Sequence, residues 1–267
     1  MLPEHMTDWH SHLLPGLDDG AATVEEALEM ALILSKAGFR QVCCTPHCIR
    51  GSYDATGGQV RAAVHSLQGE LDAAGIDIRL RPGREHYLDE FLPDYLGTDP
   101  LTLGDSRYFL LEIPSTQDPE YVKQACYRIR IKGFIPVIAH PERCSLLSPP
   151  RPKPVQGSGF KVQNSRFGRL LRRLTGSNRL RHASASDASP AAPHTSPLLD
   201  YLVEIGGQFQ GNIGSLAGIY GEIPERRSRR YLAAGLYTLY GSDAHSPLTL
   251  ETWLGEGLAL LPGAEES

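Results

Sequence analysis

Short apolar runs that end in histidine or carboxylate recur along this chain, and that recurrence restricts the fold more than any other feature. Val42-Cys43-Cys44 runs into Thr45-Pro46-His47, and Phe109-Leu110-Leu111 runs into Glu112-Ile113-Pro114. Ile76, Ile78 and Leu80 alternate as in a strand that ends in Pro82-Gly83-Arg84-Glu85. Ile135 to Ala139 leads into His140-Pro141-Glu142-Arg143, and Tyr237 to Tyr240 leads into Gly241-Ser242-Asp243-Ala244-His245. Gln208 to Asn212 reads as a further strand. Helical segments separate these runs, so the chain is expected to form parallel β/α units. Barrels and open sheets of that class keep their chemistry at the C-terminal ends of the strands, where these polar residues fall.

The helix signals are local. Thr23-Val24-Glu25-Glu26 has the form of a capping box, in which the Thr23 hydroxyl takes an orphan N–H and Glu26 reaches back. Val24, Ala27, Leu28, Ala31, Leu32 and Leu34 follow at helical spacing, with Gly38 as the stop. A second helix is expected over roughly 59–74, closing at Gly75. Asp118-Pro119 places a cap before a proline at the first helical position, and Gly133 ends that helix. Residues 198–205 and 224–234 also read as helices.

Asp8-Trp9-His10-Ser11-His12 belongs to the same set of strand ends. In a strand His10 and His12 point the same way, so both imidazoles can reach one ion. A turn built from Pro15, Gly16 and Gly20 brings Asp18 and Asp19 back towards that strand end. The strand-end ligand types are then His10, His12, Asp19, His47, Glu85, Glu112, His140, Asp243 and His245. Imidazole and carboxylate without thiolate suit Mn²⁺, Fe²⁺ or Zn²⁺. These groups are too many for one ion and match a two- or three-metal site able to hold a phosphoryl oxygen between ions. Each has a structural alternative: His140 can cap a strand, Glu85 can pair with Arg84, and Asp19 can hydrogen-bond its own turn. Coincidence at successive strand ends is the weaker explanation.

The bulk properties narrow the setting. A chain of 267 residues is one barrel-sized domain or two ordinary ones, and 41% hydrophobic with 21% charged residues is the balance of a globular protein. A net charge of −5 argues against a general nucleic-acid binder. No apolar run is long enough for membrane insertion, and a basic-then-apolar leader is not evident, which points to the cytoplasm. The five cysteines read as reduced thiols, Cys43 and Cys44 as small buried hydrophobes. Residues 148–197 break the rhythm: they are rich in Pro, Ser, Gly and Arg and hold nine Lys or Arg against Asp187 alone. That segment carries +8 and the rest of the chain −13, giving the total of −5. It is expected to be a disordered basic insertion, with docking to an acidic partner or membrane surface as the other reading.

Asp-x-His-x-His at 8–12, Thr-Pro-His at 45–47, Gly-x-Glu at 83–85, Ala-His-Pro-Glu-Arg at 139–143 and Ser-Asp-Ala-His at 242–245 resemble the polymerase-and-histidinol-phosphatase (PHP) superfamily. Leu-Pro-Gly-Leu-Asp-Asp-Gly at 14–20, Leu-Glu-Ile-Pro at 111–114 and Asn-Ile-Gly-Ser-Leu-Ala-Gly at 212–218 are similar to one branch of it. That branch is the bacterial manganese-dependent protein-tyrosine phosphatases of capsule and exopolysaccharide operons. The resemblance covers about residues 6–147 and 198–250. It implies an α/β fold, a distorted (β/α)₇ PHP barrel in a single domain over 1–267, interrupted by the insertion at about 148–197.

The resemblance also implies site roles. His10, His12, Glu85 and Asp243 would surround one ion; Glu85, Glu112 and His140 a second; and Asp19, His47 and His245 a third. Arg143, Asp243 and His245 are the implied catalytic residues. The implied chemistry is hydrolysis of phosphotyrosine assisted by two or three Mn²⁺ ions, Fe²⁺ or Zn²⁺ being alternatives. Arg143 would meet the phosphoryl oxygens, or alternatively pair with Glu142 at the surface. No cysteine nucleophile is expected. The implied partner is a bacterial tyrosine kinase controlling polysaccharide synthesis, and a homo-oligomer is left open. Two other readings stand beside this one: a small-molecule phosphatase, histidinol phosphate included, and a metal-binding interaction module without turnover. The chain departs from the family in having no arginine from Ser246 to Trp253, a gap that Arg50 or the insertion would have to fill.

Overall fold

The apolar runs become parallel strands whose polar ends converge. A computed structural model describes residues 6–148 and 196–262. β1 (Met6–Ser11), β2 (Phe39–Cys44) and β4 (Arg79–Pro82) pair in that order. A second set, β3 (His47–Cys48), β5 (Glu85–Tyr87), β6 (Tyr108–Glu112), β7 (Ile135–Ala139), β8 (Gln208–Asn212) and β9 (Leu239–Gly241), pairs successively. Every one of these pairings is parallel. β3 carries on from β2 beyond Thr45-Pro46, and β5 from β4 beyond Gly83-Arg84. A Cβ on Gly83 would lie 3.0 Å from Leu103 and 3.2 Å from Thr45, so glycine lets the chain pass closely at this break. The sheet curls until its last strand reaches its first. Asp243 N donates to His10 O (2.7 Å) and His12 N to Ala244 O (3.0 Å).

Side chains alternate along each strand, so a curled sheet acquires an inner and an outer face. Cys43, Leu103, Leu110, Val137, Ala139 and Leu239 form one buried apolar cluster, with Trp9 and Tyr108 packed against it. Two larger clusters lie between strands and helices.

α1 (Val24–Lys36) starts as the sequence suggests: Thr23 Oγ1 accepts from Glu26 N at 3.3 Å. Glu26 reaches one residue further than expected, accepting from Ala22 N at 2.8 Å. The buried stripe is Ala27, Met30, Ala31 and Leu34; Val24 and Leu32 are exposed. An apolar set spread over 24–34 covers more of the helix circumference than one packed face can bury. α2 (Gly57–Ala74) begins slightly earlier than expected, behind a true capping box of Thr56 and Gln59. The expected strand at Ile76, Ile78 and Leu80 shrinks to β4, because its pairing with β2 begins only at Arg79. α3 (Leu92–Thr98) was not legible in the sequence. α4 (Pro119–Ile131) is capped by Asp118, whose Oδ1 accepts from Glu120 N (2.8 Å) and Tyr121 N (3.0 Å). α5 (Pro197–Glu204) and α7 (Glu222–Ala233) match expectation to within two residues. α6 (Ile213–Leu216) and α8 (Leu250–Leu258) are additions.

Residues 149–195 of the expected insertion lie outside the described residues. The chain on either side of them meets: Ser196 Oγ donates to Leu146 O at 2.6 Å. Among the described residues, no helix is long and apolar enough to cross a membrane.

Candidate metal centre

His10 and His12 leave β1 on the same side, as the strand period requires, and both are fully buried. Two glycines press against this segment. A Cβ on Gly241 would lie 2.5 Å from His10 Cβ, and one on Gly20 would lie 2.1 Å from His12 O. The turn that follows returns as the sequence suggests, with Gly16 at φ 68° and Ala21 N donating to His12 O (3.1 Å).

The outer partners of the two rings fix their tautomers. His10 Nδ1 lies 2.9 Å from Gln210 Oε1, an oxygen that also accepts from His140 N at 3.2 Å. His12 Nδ1 lies 2.6 Å from Asp18 Oδ2, which also accepts from His47 N at 2.9 Å, while Asp18 Oδ1 accepts from Gly20 N at 3.0 Å. Both Nδ1 atoms therefore carry hydrogen, and in the neutral rings both Nε2 atoms present lone pairs. Those two Nε2 atoms are 3.1 Å apart. Asp243 Oδ1 stands 3.4 Å from His10 Nε2 and 3.3 Å from His12 Nε2; Glu85 Oε2 stands 3.3 and 3.6 Å from the same atoms. Two facing lone pairs thus each meet two carboxylate oxygens with no donor between them, an arrangement that requires a cation or added protons.

The remaining ligand types close around this centre. His140 Nε2 lies 2.8 Å from Glu85 Oε1. His47 Nδ1 lies 2.8 Å from Glu85 Oε2, but the pair lacks hydrogen-bond alignment and both atoms are left without a hydrogen-bond partner. Asp19 Oδ1 is 3.4 Å from His47 Nε2 and 3.5 Å from His245 Nε2. His245 Nδ1 donates to Asp243 O at 2.9 Å, which leaves Nε2 as a lone pair turned towards Asp19. All nine sequence-predicted ligand types come together. Potential ligand atoms within 4.8 Å of one another form the groups His12-Asp19-His47-His245, His10-Glu85-His140, His10-His12-Asp243 and His47-Glu85-Glu112. The groups join His12 to the Asp19 set and put Glu112 with His47 and Glu85, and the charges of both His140 and His47 act on the Glu112 carboxylate.

Buried charge sets the electrostatics. Burial pulls the His10 imidazole down, but the charges of Glu85 and Asp243 outweigh it and raise it to about 9. His12 is likewise raised against its burial by Asp18 and Asp243, and Glu85 is held well below the usual carboxylate range by His10. Glu112 moves the other way, pushed up by burial and by the Glu85 charge. Such an array of unbalanced acceptors fits divalent cations better than protons.

Two of these candidate residues sit in left-handed backbone: His140 at φ 29° and Asp243 at φ 54°. For residues with a Cβ this costs on the order of 1–3 kcal/mol each, and it persists where neighbouring bonds over-determine the position. The Asp243 N bond to His10 O and the His140 N bond to Gln210 do so here.

Residues 6–153 match the family described as capsular polysaccharide synthesis, CpsB/CapC. The chain belongs to the CpsB/CapC family. It is 32% identical over 257 residues to the tyrosine-protein phosphatase YwqE of Bacillus subtilis, covering 96% of this chain and 84% of YwqE. It is 27% identical over 143 residues to the tyrosine-protein phosphatase CpsB of Streptococcus pneumoniae, covering 53% of this chain and 59% of that one. Among solved structures it superposes with TM-score 0.70 and 30% identity on a chain from the work on YwqE and CpsB, described as unique metal-dependent tyrosine phosphatases. That match covers 98% of this chain and 89% of the other.

In this CpsB/CapC chain the alternative pairings considered for single residues are not the ones found. Arg84 is bound to Ala55 O and Asp99, not to Glu85. Glu142 turns inward, accepting from Tyr237 OH (2.7 Å) and Asn212 N (3.2 Å), which leaves Arg143 Nη1 to Asp243 Oδ2 at 2.8 Å. Asp18, not Asp19, holds the turn. Cys44 and Arg50 stand at the spacing of a cysteine-based phosphate loop, yet they form none. Cys44 is fully buried with its thiol pushed well up by burial, while Arg50 pairs with Asp94 at 2.9 Å and stacks on Phe91.

The sequence places Asp18 at the strand end without its role as the His12 partner, and gives no role to the supporting residues Gln210, Asn212 and Tyr220. One signal was available for two of them. Gln210 and Asn212 alternate along an expected strand, which puts both amides on one face, and both are fully buried. Asp8 was quoted only as part of its motif, but it is buried, raised to about 6 by burial, and accepts from Ser242 N at 2.8 Å.

Proposed function

We propose that this chain is a metal-dependent protein-tyrosine phosphatase, hydrolysing phosphotyrosine on a bacterial tyrosine kinase that controls capsular or exopolysaccharide synthesis. The observation that carries this reading is the pair of lone-pair atoms His10 Nε2 and His12 Nε2, 3.1 Å apart, with Glu85 Oε2 and Asp243 Oδ1 each within 3.6 Å of both and no donor among the four. The names of the similar proteins support the substrate. The nine ligand types are assigned as His10, His12, Asp19, His47, Glu85, Glu112, His140, Asp243 and His245, holding two or three Mn²⁺ ions. Fe²⁺ and Zn²⁺ share these donors. When bound, the ions supply the positive charge that acidifies an attacking water and steadies the phosphoryl oxygens.

The protein's own part is positioning and charge. Asp18 and Gln210 orient the His12 and His10 rings through their Nδ1 hydrogens, as outer partners of metal-bound imidazoles do. Arg143, beside Asp243, presents a planar fork suited to two phosphoryl oxygens. Asp243 and His245 are assigned with Arg143 as the catalytic residues, Asp243 accepting from Arg143 Nη1 at its side chain and from His245 Nδ1 at its backbone carbonyl. The strand pairing and the β1–β9 closure support a distorted (β/α)₇ barrel in one domain, interrupted at about 148–197. Five free buried cysteines suit the reducing cytoplasm.

The test is elemental analysis of the purified protein together with turnover of a phosphotyrosine peptide, a phosphoserine peptide and histidinol phosphate, with Mn²⁺ and with chelator. Mn²⁺-dependent release of phosphate from the phosphotyrosine peptide above the other two is expected. Preference for histidinol phosphate would move the chain to the small-molecule phosphatases, and metal content without turnover would make it a binding module.

A further inference from the structure

The geometry points to Tyr220 as a positioning residue with two separable parts: its ring carries the Arg143 guanidinium and its hydroxyl secures Asp243. The ring's part rests on the phosphatase reading above; the hydroxyl's part does not.

Tyr220 is placed by the backbone around it. Gly218 and Gly221 adopt φ 81° and 91°, values that residues with a Cβ rarely take, and Gly221 N donates to Gly218 O at 2.9 Å. This turn follows α6 and delivers the phenol between groups from two other strand ends, Arg143 after β7 and Asp243 after β9.

The two oxygens of Asp243 divide their work. Oδ1 faces His10 Nε2 and His12 Nε2 at 3.4 and 3.3 Å. Oδ2 accepts from Arg143 Nη1 (2.8 Å), Asn212 Nδ2 (2.8 Å) and Tyr220 OH (3.3 Å). Only one of those three donors is charged, and it is the one that phosphate needs. When the guanidinium turns to phosphoryl oxygens, Oδ2 keeps two neutral donors, enough to stop the buried carboxylate from rotating Oδ1 off the imidazoles. The ring has the complementary task. Arg143 Cζ lies 4.5 Å from the ring centroid, and the Arg143 side chain is 35% exposed. A long half-exposed side chain scatters unless a surface holds it, and an aromatic face holds a guanidinium without consuming its N–H donors. With no arginine between Ser246 and Trp253, phosphate binding depends the more on where Arg143 points.

The two parts separate in Tyr220→Phe, which keeps the ring and loses the hydroxyl, and Tyr220→Leu, which loses both. Each variant is compared with the wild-type full chain in two measurements: Mn²⁺ binding to the chelator-stripped protein by titration calorimetry, and kcat and KM for a phosphotyrosine peptide at saturating Mn²⁺. Tyr220→Phe is expected to bind the weakest-held Mn²⁺ about threefold less tightly with KM unchanged. Tyr220→Leu should show the same loss of Mn²⁺ affinity and a KM about tenfold higher, about 1.4 kcal/mol of substrate binding. Equal KM values in the two variants overturn the ring's role. Unchanged Mn²⁺ affinity in Tyr220→Phe overturns the hydroxyl's role, and that arm reads out even if Tyr220→Leu does not fold. A wild type that binds Mn²⁺ and hydrolyses no phosphotyrosine overturns the phosphatase reading and the ring's role with it, while the Mn²⁺ titration still decides the hydroxyl.

Discussion

Stripping the divalent ions leaves protons as the cations available to the buried acceptors, so the stripped protein is expected to lose stability as pH rises. Burial lowers the His10 imidazole, but Glu85 and Asp243 outweigh it and hold it at about 9. In the unfolded chain the ordinary value is about 6.5. Both carboxylates are held below their usual range and stay charged throughout this window. Between the two values the folded state keeps a proton that the unfolded chain has released. The stabilisation is therefore full below pH 6.5 and is lost as pH climbs through about 9. The gap of ~2.5 between the two values, at 1.36 kcal/mol per unit, amounts to ~3 kcal/mol. At 2–4 °C per kcal/mol for a domain of this size, that is roughly 6–12 °C in melting temperature. His12, raised in the same direction, adds to the trend. Mn²⁺ reverses it, because ligation needs the deprotonated rings; the melting gain from Mn²⁺ should grow with pH, and loading at pH 7 should release protons. Thermal melts from pH 6 to 9.5 with and without Mn²⁺, and calorimetry in two buffers of different ionisation enthalpy, measure both effects. A stripped protein whose melting temperature stays flat or rises over that window would refute the reasoning.

Three other perturbations have expected outcomes. Asp18→Asn replaces one of two accepting oxygens by an N–H₂ that faces donors from His12, His47 or Gly20; Mn²⁺ affinity should fall 10- to 100-fold by calorimetry, with near-normal affinity excluding Asp18 as the partner that orients His12. Gly20→Ala puts a Cβ against His12 O and Cβ, so the denaturation midpoint should report a loss of roughly 1–3 kcal/mol, and an unchanged midpoint would mean the turn does not pack on β1. Replacing residues 149–195 by a short Gly-Ser linker should leave the melting temperature within a few degrees, since Ser196 Oγ already reaches Leu146 O at 2.6 Å; an insoluble product would show that the segment is part of the packed domain.

What the sequence determined by itself was periodicity and the chemistry of the strand ends. Alternating apolar runs and capped amphipathic stretches dictate parallel β/α units, and imidazoles and carboxylates at successive strand ends dictate a shared pocket. Both signals are local, so they survive without knowledge of the fold. The tertiary structure alone decided the outer partners. Asp18 rather than Asp19 holds His12, Gln210 holds His10 across 200 positions of sequence, and Glu142 turns away from Arg143 to meet Tyr237 and Asn212. Those pairings depend on strand register and on which way each strand-end loop folds over the pocket. A hydrogen bond is a matter of tenths of an ångström between remote atoms, and nothing in local propensity encodes it.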